Sequence, residues 1–261
     1  MIDKDTFANL TAEYVTLGCK LNFSETSAIA EALAARGVTR VHPGDSADIV
    51  VINTCSVTAE ADKKCRQTIR SLARRHPDAV IAVTGCYAQL QPGEIASIDG
   101  VAIVAGNDRK GELVGYLEEY ISRKQQQLRV TPVDEIGRFT PSCSHGDRTR
   151  YFLKVQDGCD YRCSYCTIPM ARGRSRSSSV TDIVTQAHDV AAHGGREIVI
   201  TGVNIGDFGR REGHGENFFD LCRALEDVEG IDRYRISSIE PNLLTDPMLS
   251  LIHISEPTRP Y

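Results

Sequence analysis

Long apolar runs are missing from this 261-residue chain: runs such as 49–52 fall far short of the roughly 20 residues that cross a bilayer. The polar start at 1–5 lacks the apolar core of a signal peptide. With 21 Gly and 10 Pro, the chain is also poor in the residues that dominate fibrous or low-complexity proteins. These absences predict a soluble, cytoplasmic protein with no membrane span.

The composition is that of a globular protein, with 41% apolar and 25% charged residues. The length suits one large or two ordinary domains. With 30 basic against 35 acidic residues the net charge is −5, so contact with nucleic acid requires a local basic patch. The nine cysteines in a reducing compartment point to metal ligands or catalytic thiols rather than disulfides.

Short β-rich runs alternate with helical stretches over about the first 120 residues. The runs lie at 14–17, 48–53, 80–84 and 102–105. Helices are predicted at 25–36, with Ser24 as the cap, and at 59–75. This alternation predicts a doubly wound α/β domain with a parallel sheet over residues 1–124.

The pattern weakens over 125–150, which we interpret as a linker with an isolated strand at 128–133. Alternation then resumes, with strands predicted at 151–156, 197–200 and 234–237 and helices at 181–193 and 218–227. A strand–helix repeat of this kind indicates part of a β/α barrel over 151–248.

Three cysteines stand together directly after the strand at 151–156, and we call them the signature cysteines: Cys159, Cys163 and Cys166. Thiolates suit zinc or an iron–sulfur cluster, and a four-iron cluster held by three of them keeps one iron open for chemistry. The alternative is a zinc site with His188 or His193 as the fourth ligand. Zinc sites usually pair C-x2-C with a second, distant pair, which disfavours that alternative.

Three further cysteines, the upstream cysteines, each lie one to three residues beyond the end of a predicted strand: Cys19, Cys55 and Cys86. The carboxyl ends of parallel strands share one edge of a sheet, so these thiols can converge on one site. The alternative for a single cysteine is burial as a small hydrophobic residue. Ordinary packing or a surface position fits the rest better: Cys65, Cys143 and Cys222.

Together these residues resemble the radical S-adenosylmethionine (SAM) methylthiotransferases. The likeness includes Tyr165 before the last signature cysteine and extends to segments 18–22, 53–58, 171–177 and 201–206. Those segments are most similar to the branch that acts on tRNA threonylcarbamoyladenosine. The branches that act on isopentenyladenosine in tRNA or on a ribosomal protein carry different residues after the first cysteine, and they remain the alternatives.

The resemblance implies an enzyme with two [4Fe-4S] clusters. The signature cysteines would hold the cluster that binds and cleaves SAM, and the resulting radical would activate the substrate adenine. The upstream cysteines would hold an auxiliary cluster that carries the sulfur, and a second SAM would supply the methyl group. The implied partners are tRNA, an electron donor such as flavodoxin or ferredoxin, and a sulfur donor, with no catalytic side chain beyond the cluster ligands.

Four other residues are candidates for binding SAM. Tyr165 is placed near the SAM adenine by its position in the signature, although a core aromatic is the alternative. Gly202 and Gly206 follow the strand at 197–200, where the lack of a side chain lets a cofactor approach the backbone. Glu240 has a carboxylate suited to the SAM amino group or ribose, and an exposed loop acid is its alternative.

Two basic groups near the cysteines are candidates for binding RNA phosphates. They are Lys63, Arg66, Arg70 and Arg74 at helical spacing, and Arg172, Arg174 and Arg176 after the signature. Solvated surface charge is the common alternative for any one of them.

The end of the chain looks foreign, because 249–261 resembles translated sequencing-library adapter. We therefore expect a non-native tail, an incomplete barrel and a chain that is poorly stable or inactive. A short natural carboxyl terminus is the alternative. The competing class of function is a zinc- or iron–sulfur-containing module that binds RNA or carries electrons without transfer chemistry.

Overall fold

The computed structural model describes residues 6–144, 150–211, 213 and 215–255, with side chains to residue 251. A six-stranded parallel sheet forms the amino-terminal region, in the order β2-β1-β3-β4-β5-β6. Its strands are β1 (Thr11–Thr16), β2 (Thr39–Arg40), β3 (Ile49–Thr54), β4 (Val80–Gly85), β5 (Val101–Ala105) and β6 (Gln127–Arg129). The central strands β3 and β4 are buried throughout, which explains why both read as continuous apolar runs.

Helices cover both faces of this sheet: α1 (Lys20–Ala34), α2 (Ala59–Arg75), α3 (Cys86–Leu90), α4 (Pro92–Ala96) and α5 (Leu113–Arg123). Side chains of α1 and α5 pack on one face, among them Leu33 and Leu117. Side chains of α2, α3 and α4 pack on the other, among them Ile69 and Ile95. This arrangement confirms the doubly wound α/β fold.

Two local expectations differ from the structure. The first helix begins at Lys20 rather than residue 25, and Ser24 lies inside it, where its hydroxyl donates to the carbonyl of Leu21 at 3.0 Å. Ser24 is therefore not the cap. The strand predicted at 128–133 is not isolated, because β6 pairs in parallel with β5 and extends the sheet into the expected linker.

The carboxyl-terminal region holds a second parallel sheet of order β11-β10-β7. Its strands are β7 (Tyr151–Lys154), β10 (Glu197–Thr201) and β11 (Arg233–Ile236), and β8 (Gln156–Asp157) pairs antiparallel with β9 (Arg176–Ser177). The helices are α6 (Ile168–Arg172), α7 (Val180–Ala192), α8 (Phe218–Glu226) and α9 (Asp246–Ser255). Three parallel strands with helices packed on them are the expected arc of a β/α barrel.

The two regions pack together along α1 and β7. The rings of Phe23 and Phe152 meet edge to face at 5.7 Å, and the hydroxyls of Ser24 and Ser142 lie 2.9 Å apart. None of the helices in the described ranges has the length and apolar character that crossing a bilayer demands. The expected tail at 249–261 lies partly in α9, its last six residues fall outside the described residues, and its foreign origin stays a prediction.

Candidate iron–sulfur sites and the contacts between them

The upstream cysteines follow three adjacent strands of the larger sheet. The carboxyl ends of β1, β3 and β4 lie level with one another, since Thr16 pairs with Asn53 and Thr54 pairs with Gly85. Cys19, Cys55 and Cys86 come just after these ends, at the carboxyl edge of the sheet, where open α/β folds bind ligands.

Glycine at position 18 lets the first two loops approach each other. Gly18 has a φ of +105°, and a Cβ there would lie 2.7 Å from the Cβ and 2.9 Å from the Sγ of Cys55. No other residue type fits this position without movement of the Cys55 loop. The contact brings the loop that carries Cys19 directly against the second thiol of the set.

The three upstream thiols interact electrostatically. Burial raises the pKa of Cys55, and the neighbouring thiols of Cys86 and Cys19 raise it further. The Sγ of Cys86 accepts from the side-chain amide of Asn107 at 3.8 Å. The structure therefore places the three upstream cysteines at one edge of the sheet, and their joint role as ligands stays a prediction.

The signature cysteines lie in the loop between β8 and α6. The backbone N–H of Cys159 donates to the carbonyl of Gly173 at 3.1 Å, and that of Cys166 donates to the carbonyl of Cys163 at 3.1 Å. Burial raises the pKa of Cys159, and the charges of Asp207, Cys166 and Cys163 add to that rise. The three signature cysteines thus lie on one short loop, and their role as cluster ligands stays a prediction.

Each set offers three thiolates, which are the donors that an iron–sulfur cluster takes. Within the described residues, no three His, Cys, Asp or Glu side chains are placed to hold one ion, so a compact zinc site gains no support. A four-iron cluster takes each thiolate on a different iron, so its ligands need not converge on one point. Beside Cys86, the Oδ1 atom of Asn107 is buried without a hydrogen-bond partner in the described part of the chain. This oxygen can therefore accept a hydrogen bond from a group at the site.

Three hydrogen bonds join the upstream cysteine loops to the segment that follows Cys166. The hydroxyl of Thr167 donates to the carbonyl of Ser56 at 2.8 Å, and the amide of Asn107 donates to the carbonyl of Ala171 at 2.6 Å. The guanidinium of Arg172 donates to the side chain of Asn22 at 2.7 Å. The two cysteine sets are thus built against one another.

A network of buried charges lies beneath this junction. It comprises Glu25 on α1, Lys110, Lys154 on β7, Asp157 on β8, Arg172 on α6 and Arg176 on β9. The Nη1 of Arg172 lies 2.8 Å from Asp157 and 3.0 Å from Glu25. One guanidinium therefore joins the two regions of the chain. Ion pairs this deeply buried are strongly coupled, so removal of one member is costly.

The network keeps its carboxylates ionised. Burial alone would raise the pKa of Glu25, but the charges of Arg172, Lys110 and Lys154 outweigh it, so the pKa lies well below the usual range. The pKa of Asp157 is likewise held low, because the surrounding cations outweigh its burial. Burial lowers the pKa of Lys110, although Glu25 opposes that shift.

The candidate SAM-binding residues lie around the smaller sheet. Tyr165 is 88% exposed, so it is not a core aromatic, and its place near SAM stays a prediction. A Cβ on Gly206 would lie 2.7 Å from the side chain of Leu243, and one on Gly202 would lie 2.7 Å from that of Ile205. Packing within the chain therefore already requires glycine at both positions.

Glu240, the remaining SAM candidate, is exposed at the start of the short 3-10 helix Pro241–Leu243. Its backbone N–H donates to the side chain of Asn204 at 3.3 Å, which ties the segment to the loop after β10. The carboxylate is thus at the surface, and its role in binding SAM stays a prediction.

The basic stripe on α2 is partly engaged within the protein. Arg66 donates to the hydroxyl of Tyr87 at 2.8 Å and pairs with Glu94 at 3.4 Å. The remaining members are exposed: Lys63, Arg70 and Arg74. The stripe therefore presents three cations rather than four to a partner.

The basic group after the signature requires a correction. Arg172 and Arg176 are 1% and 6% exposed, and both bind Asp157, so neither guanidinium is available to an RNA phosphate. Arg174 is exposed and lies 3.4 Å from Asp160. One surface arginine remains of the three expected.

The residues that connect the two cysteine sets were not predicted from the sequence. Lys154 carried a signal, because a charged residue inside the apolar run at 151–156 requires a buried partner. Asn22 lies inside segment 18–22 and Arg172 inside segment 171–177, both already singled out. Glu25 had no local signal, since an acidic residue on a helix is ordinarily solvated.

Comparison with known families assigns both regions. Residues 11–106 match the family described as Uncharacterized protein family UPF0004, and residues 153–253 match the Radical SAM superfamily. The fold and the signature loop therefore define a radical SAM protein with an added amino-terminal α/β region.

Curated relatives narrow this class. Threonylcarbamoyladenosine tRNA methylthiotransferase MtaB of Bacillus subtilis (strain 168) is 40% identical over 255 residues, which cover 94% of this chain and 55% of the relative. The MtaB of Aquifex aeolicus (strain VF5) is 37% identical, with 95% and 60% covered. The chain is similar to radical SAM methylthiotransferases over nearly its whole length, and it spans between half and two thirds of the length of these two relatives.

A relative from another branch is more distant. The tRNA-2-methylthio-N(6)-dimethylallyladenosine synthase of Thermobifida fusca (strain YX) is 30% identical, with 92% of this chain and 49% of the relative covered. Among solved structures, the radical SAM methyltransferase TsrM of Kitasatospora setae, with cobalamin and a [4Fe-4S] cluster bound, matches with a TM-score of 0.60. It is 16% identical and covers 94% of this chain and 59% of that one, so the likeness concerns the fold.

Proposed function

We propose that this chain is the cluster-binding part of an enzyme that methylthiolates threonylcarbamoyladenosine in tRNA, next to the anticodon. The observation that carries the proposal is the junction of two sets of three cysteines, joined by the hydrogen bond from Thr167 to Ser56. A transfer between two cofactors requires that both be held within reach of one substrate atom. The higher identity to the MtaB relatives than to the dimethylallyladenosine synthase favours this base.

In this proposal the signature cysteines hold a [4Fe-4S] cluster with SAM, and the upstream cysteines hold a second one. When bound, these groups supply radical activation of a carbon–hydrogen bond and the sulfur and methyl group that are transferred. The chain's own residues fix the two loops through Thr167, Asn107 and Arg172. The exposed cations of α2 lie on the helix that follows Cys55, where they would bind tRNA phosphates.

The reaction also needs partners. An electron donor such as flavodoxin or ferredoxin would reduce the cluster that binds SAM, and a separate donor would restore the transferred sulfur. These partners follow from the chemistry of the proposed reaction, which consumes electrons and sulfur.

Anaerobic reconstitution with iron and sulfide tests the proposal. We expect two four-iron clusters per chain, one of them lost when Cys19, Cys55 and Cys86 are replaced with Ala and the other when Cys159, Cys163 and Cys166 are. The chain should then cleave SAM to 5′-deoxyadenosine only while the signature set is intact. Bound zinc, or one cluster without SAM cleavage, would instead support an RNA-binding or electron-carrying module.

The substrate needs a separate measurement. Nucleoside mass spectrometry of tRNA from cells that lack the gene should show threonylcarbamoyladenosine without its methylthio group. Loss of methylthio-isopentenyladenosine instead, or an unmodified ribosomal protein, would assign the chain to another branch of the family.

A further inference from the structure

The buried network between the two cysteine sets carries more positive than negative groups. Its cations are Lys110, Lys154, Arg172 and Arg176, and its anions are Glu25 and Asp157. Every one of these side chains is at most 7% exposed. Within the described residues, the basic side chains therefore outnumber the carboxylates by two, and a positive surplus of one remains where burial neutralises Lys110.

A surplus of buried charge is costly unless an ion of opposite sign lies beside it. Water cannot compensate the charge, because these side chains are almost fully enclosed. The arrangement therefore calls for an anionic group next to the network, and Glu25 and Asp157 are already shared among the four cations.

The upstream cysteines are the neighbouring site. Arg172 donates through Nη2 to the Oδ1 of Asn22, and the same Oδ1 lies 3.8 Å from the Sγ of Cys19. The residue before Arg172 accepts from Asn107, whose amide lies 3.8 Å from the Sγ of Cys86. Asn22 thus links the side chain of Arg172 to Cys19, and Asn107 links the backbone beside Arg172 to Cys86.

The cluster proposed for the upstream cysteines would itself be the anionic group beside the network. Three thiolates around a dicationic four-iron core make the whole group negative, and reduction adds a further negative charge. Nearby positive charge and hydrogen bonds are the protein's means of shifting the reduction potential of such a group.

We propose that Arg172, assisted by Lys110, positions the group held by Cys19, Cys55 and Cys86 and stabilises its reduced, more negative state. The inference rests on the proposed function, because it takes the upstream cysteines as ligands of an iron–sulfur cluster. The guanidinium holds α6 against Asn22, and the buried surplus charge favours addition of an electron. Arg172 is a positioning residue, since it contacts a neighbour of the ligands rather than the reacting atoms.

The test isolates the upstream cluster in the whole chain. In a parent variant with Cys159→Ala, Cys163→Ala and Cys166→Ala, iron analysis first counts the remaining cluster. A redox titration followed by electron paramagnetic resonance then gives its midpoint potential. The same measurement is made with Arg172→Gln, Arg172→Lys and Lys110→Met, and with Arg123→Gln as a control at an exposed arginine of α5.

We expect Arg172→Gln and Lys110→Met each to lower the reduced-to-oxidised ratio at a fixed solution potential at least about tenfold, a shift of about 59 mV for one electron. Arg172→Lys loses the forked hydrogen bonds but keeps the charge, so its reduced-to-oxidised ratio should stay within about threefold of the parent, as should that of Arg123→Gln. If Arg172→Gln fails to hold the cluster, Lys110→Met decides the question, because it leaves the hydrogen bond from Arg172 to Asn22 in place.

Two results would overturn the inference, and they differ. A parent with iron on the upstream cysteines but with unchanged potentials in both Arg172→Gln and Lys110→Met would remove the role of the network and leave the proposed function standing. A parent that binds no iron there, although the unaltered chain binds iron through the signature cysteines, would overturn both proposals.

Discussion

The hydroxyl of Thr167 donates a hydrogen bond of 2.8 Å to the carbonyl of Ser56. Thr167 directly follows Cys166 and Ser56 directly follows Cys55, so this bond joins the two cysteine loops at the residues next to their ligands. The loops cannot separate without breaking it. The two candidate cluster sites are therefore joined directly, at the residues next to their proposed ligands.

Removal of this hydroxyl should loosen the junction. Thr167→Val leaves the carbonyl of Ser56 without its donor, and we expect the free energy of unfolding to fall by about 1 kcal/mol. Thr167→Ser keeps the hydroxyl and should lose less. Urea denaturation of the three proteins measures the difference, and a loss in Thr167→Ser without a loss in Thr167→Val would show that the methyl group, not the hydrogen bond, matters.

The buried carboxylate of Glu25 should make stability depend on acid pH. Its pKa lies below that of an unfolded glutamate, about 4.3, so its stabilising effect is complete above roughly pH 5 and is lost as the pH falls towards the folded value. We expect Glu25→Gln to lower the free energy of unfolding by about 3–5 kcal/mol at pH 7, because three cations lose a partner.

Denaturation between pH 7 and pH 3 checks this prediction, with Glu229→Gln at an exposed position as the control. The control should stay within about 0.5 kcal/mol of the unaltered chain. The Glu25→Gln protein should show a flatter dependence on pH than the unaltered chain. An unchanged slope would mean that other carboxylates dominate the acid response.

Glycine before Cys86 should be irreplaceable. Gly85 has a φ of +102°, and a Cβ there would lie 2.3 Å from the backbone oxygen of Thr54. Gly85→Ala should therefore destabilise the fold by about 1–3 kcal/mol or more and displace the Cys86 loop. Gly93→Ala in α4 meets no atom within 4 Å and should be neutral or stabilising by about 0.4–1 kcal/mol.

Thermal unfolding of both glycine variants gives the comparison. Iron content after reconstitution gives a second reading, since only Gly85→Ala alters a loop that carries a candidate ligand. Similar melting temperatures in the two variants would contradict the steric argument.

The exposed cations of α2 should contribute to tRNA binding. The combined variant Lys63→Gln, Arg70→Gln and Arg74→Gln should weaken binding and reduce the slope of log affinity against log salt by roughly 0.7–0.9 for each phosphate that is no longer neutralised. Arg66 is left unchanged because Tyr87 and Glu94 hold it. Fluorescence anisotropy with labelled tRNA at several salt concentrations measures both effects.

A matched control has the same number of surface charges removed elsewhere. This control variant combines Arg123→Gln, Arg196→Gln and Arg233→Gln. The three arginines are exposed, on α5 and around the smaller sheet. An equal loss of affinity in this variant would show general attraction rather than a binding surface on α2.

Local pattern alone was enough to predict the doubly wound α/β architecture and the place of the upstream cysteines at one edge of the sheet. Helix 59–75 lies where its periodicity placed it, and Cys55 and Cys86 follow the strand ends that were predicted for them. Parallel strands place their carboxyl ends on one edge, so a position after a strand already implies a position in space. The first helix was predicted to begin too late, because Ser24 has the chemistry of a cap but bonds within the helix.

Tertiary structure alone decided which of the charged residues are buried and which are exposed. Arg172 and Arg174 are two residues apart and chemically identical, yet one is buried against Glu25 and the other is exposed. The partner that separates them lies 147 residues earlier in the chain. A sequence reveals spacing along one segment, whereas burial of a charge depends on which distant segment folds over it, and that is why the network beneath the cysteines emerged only from the structure.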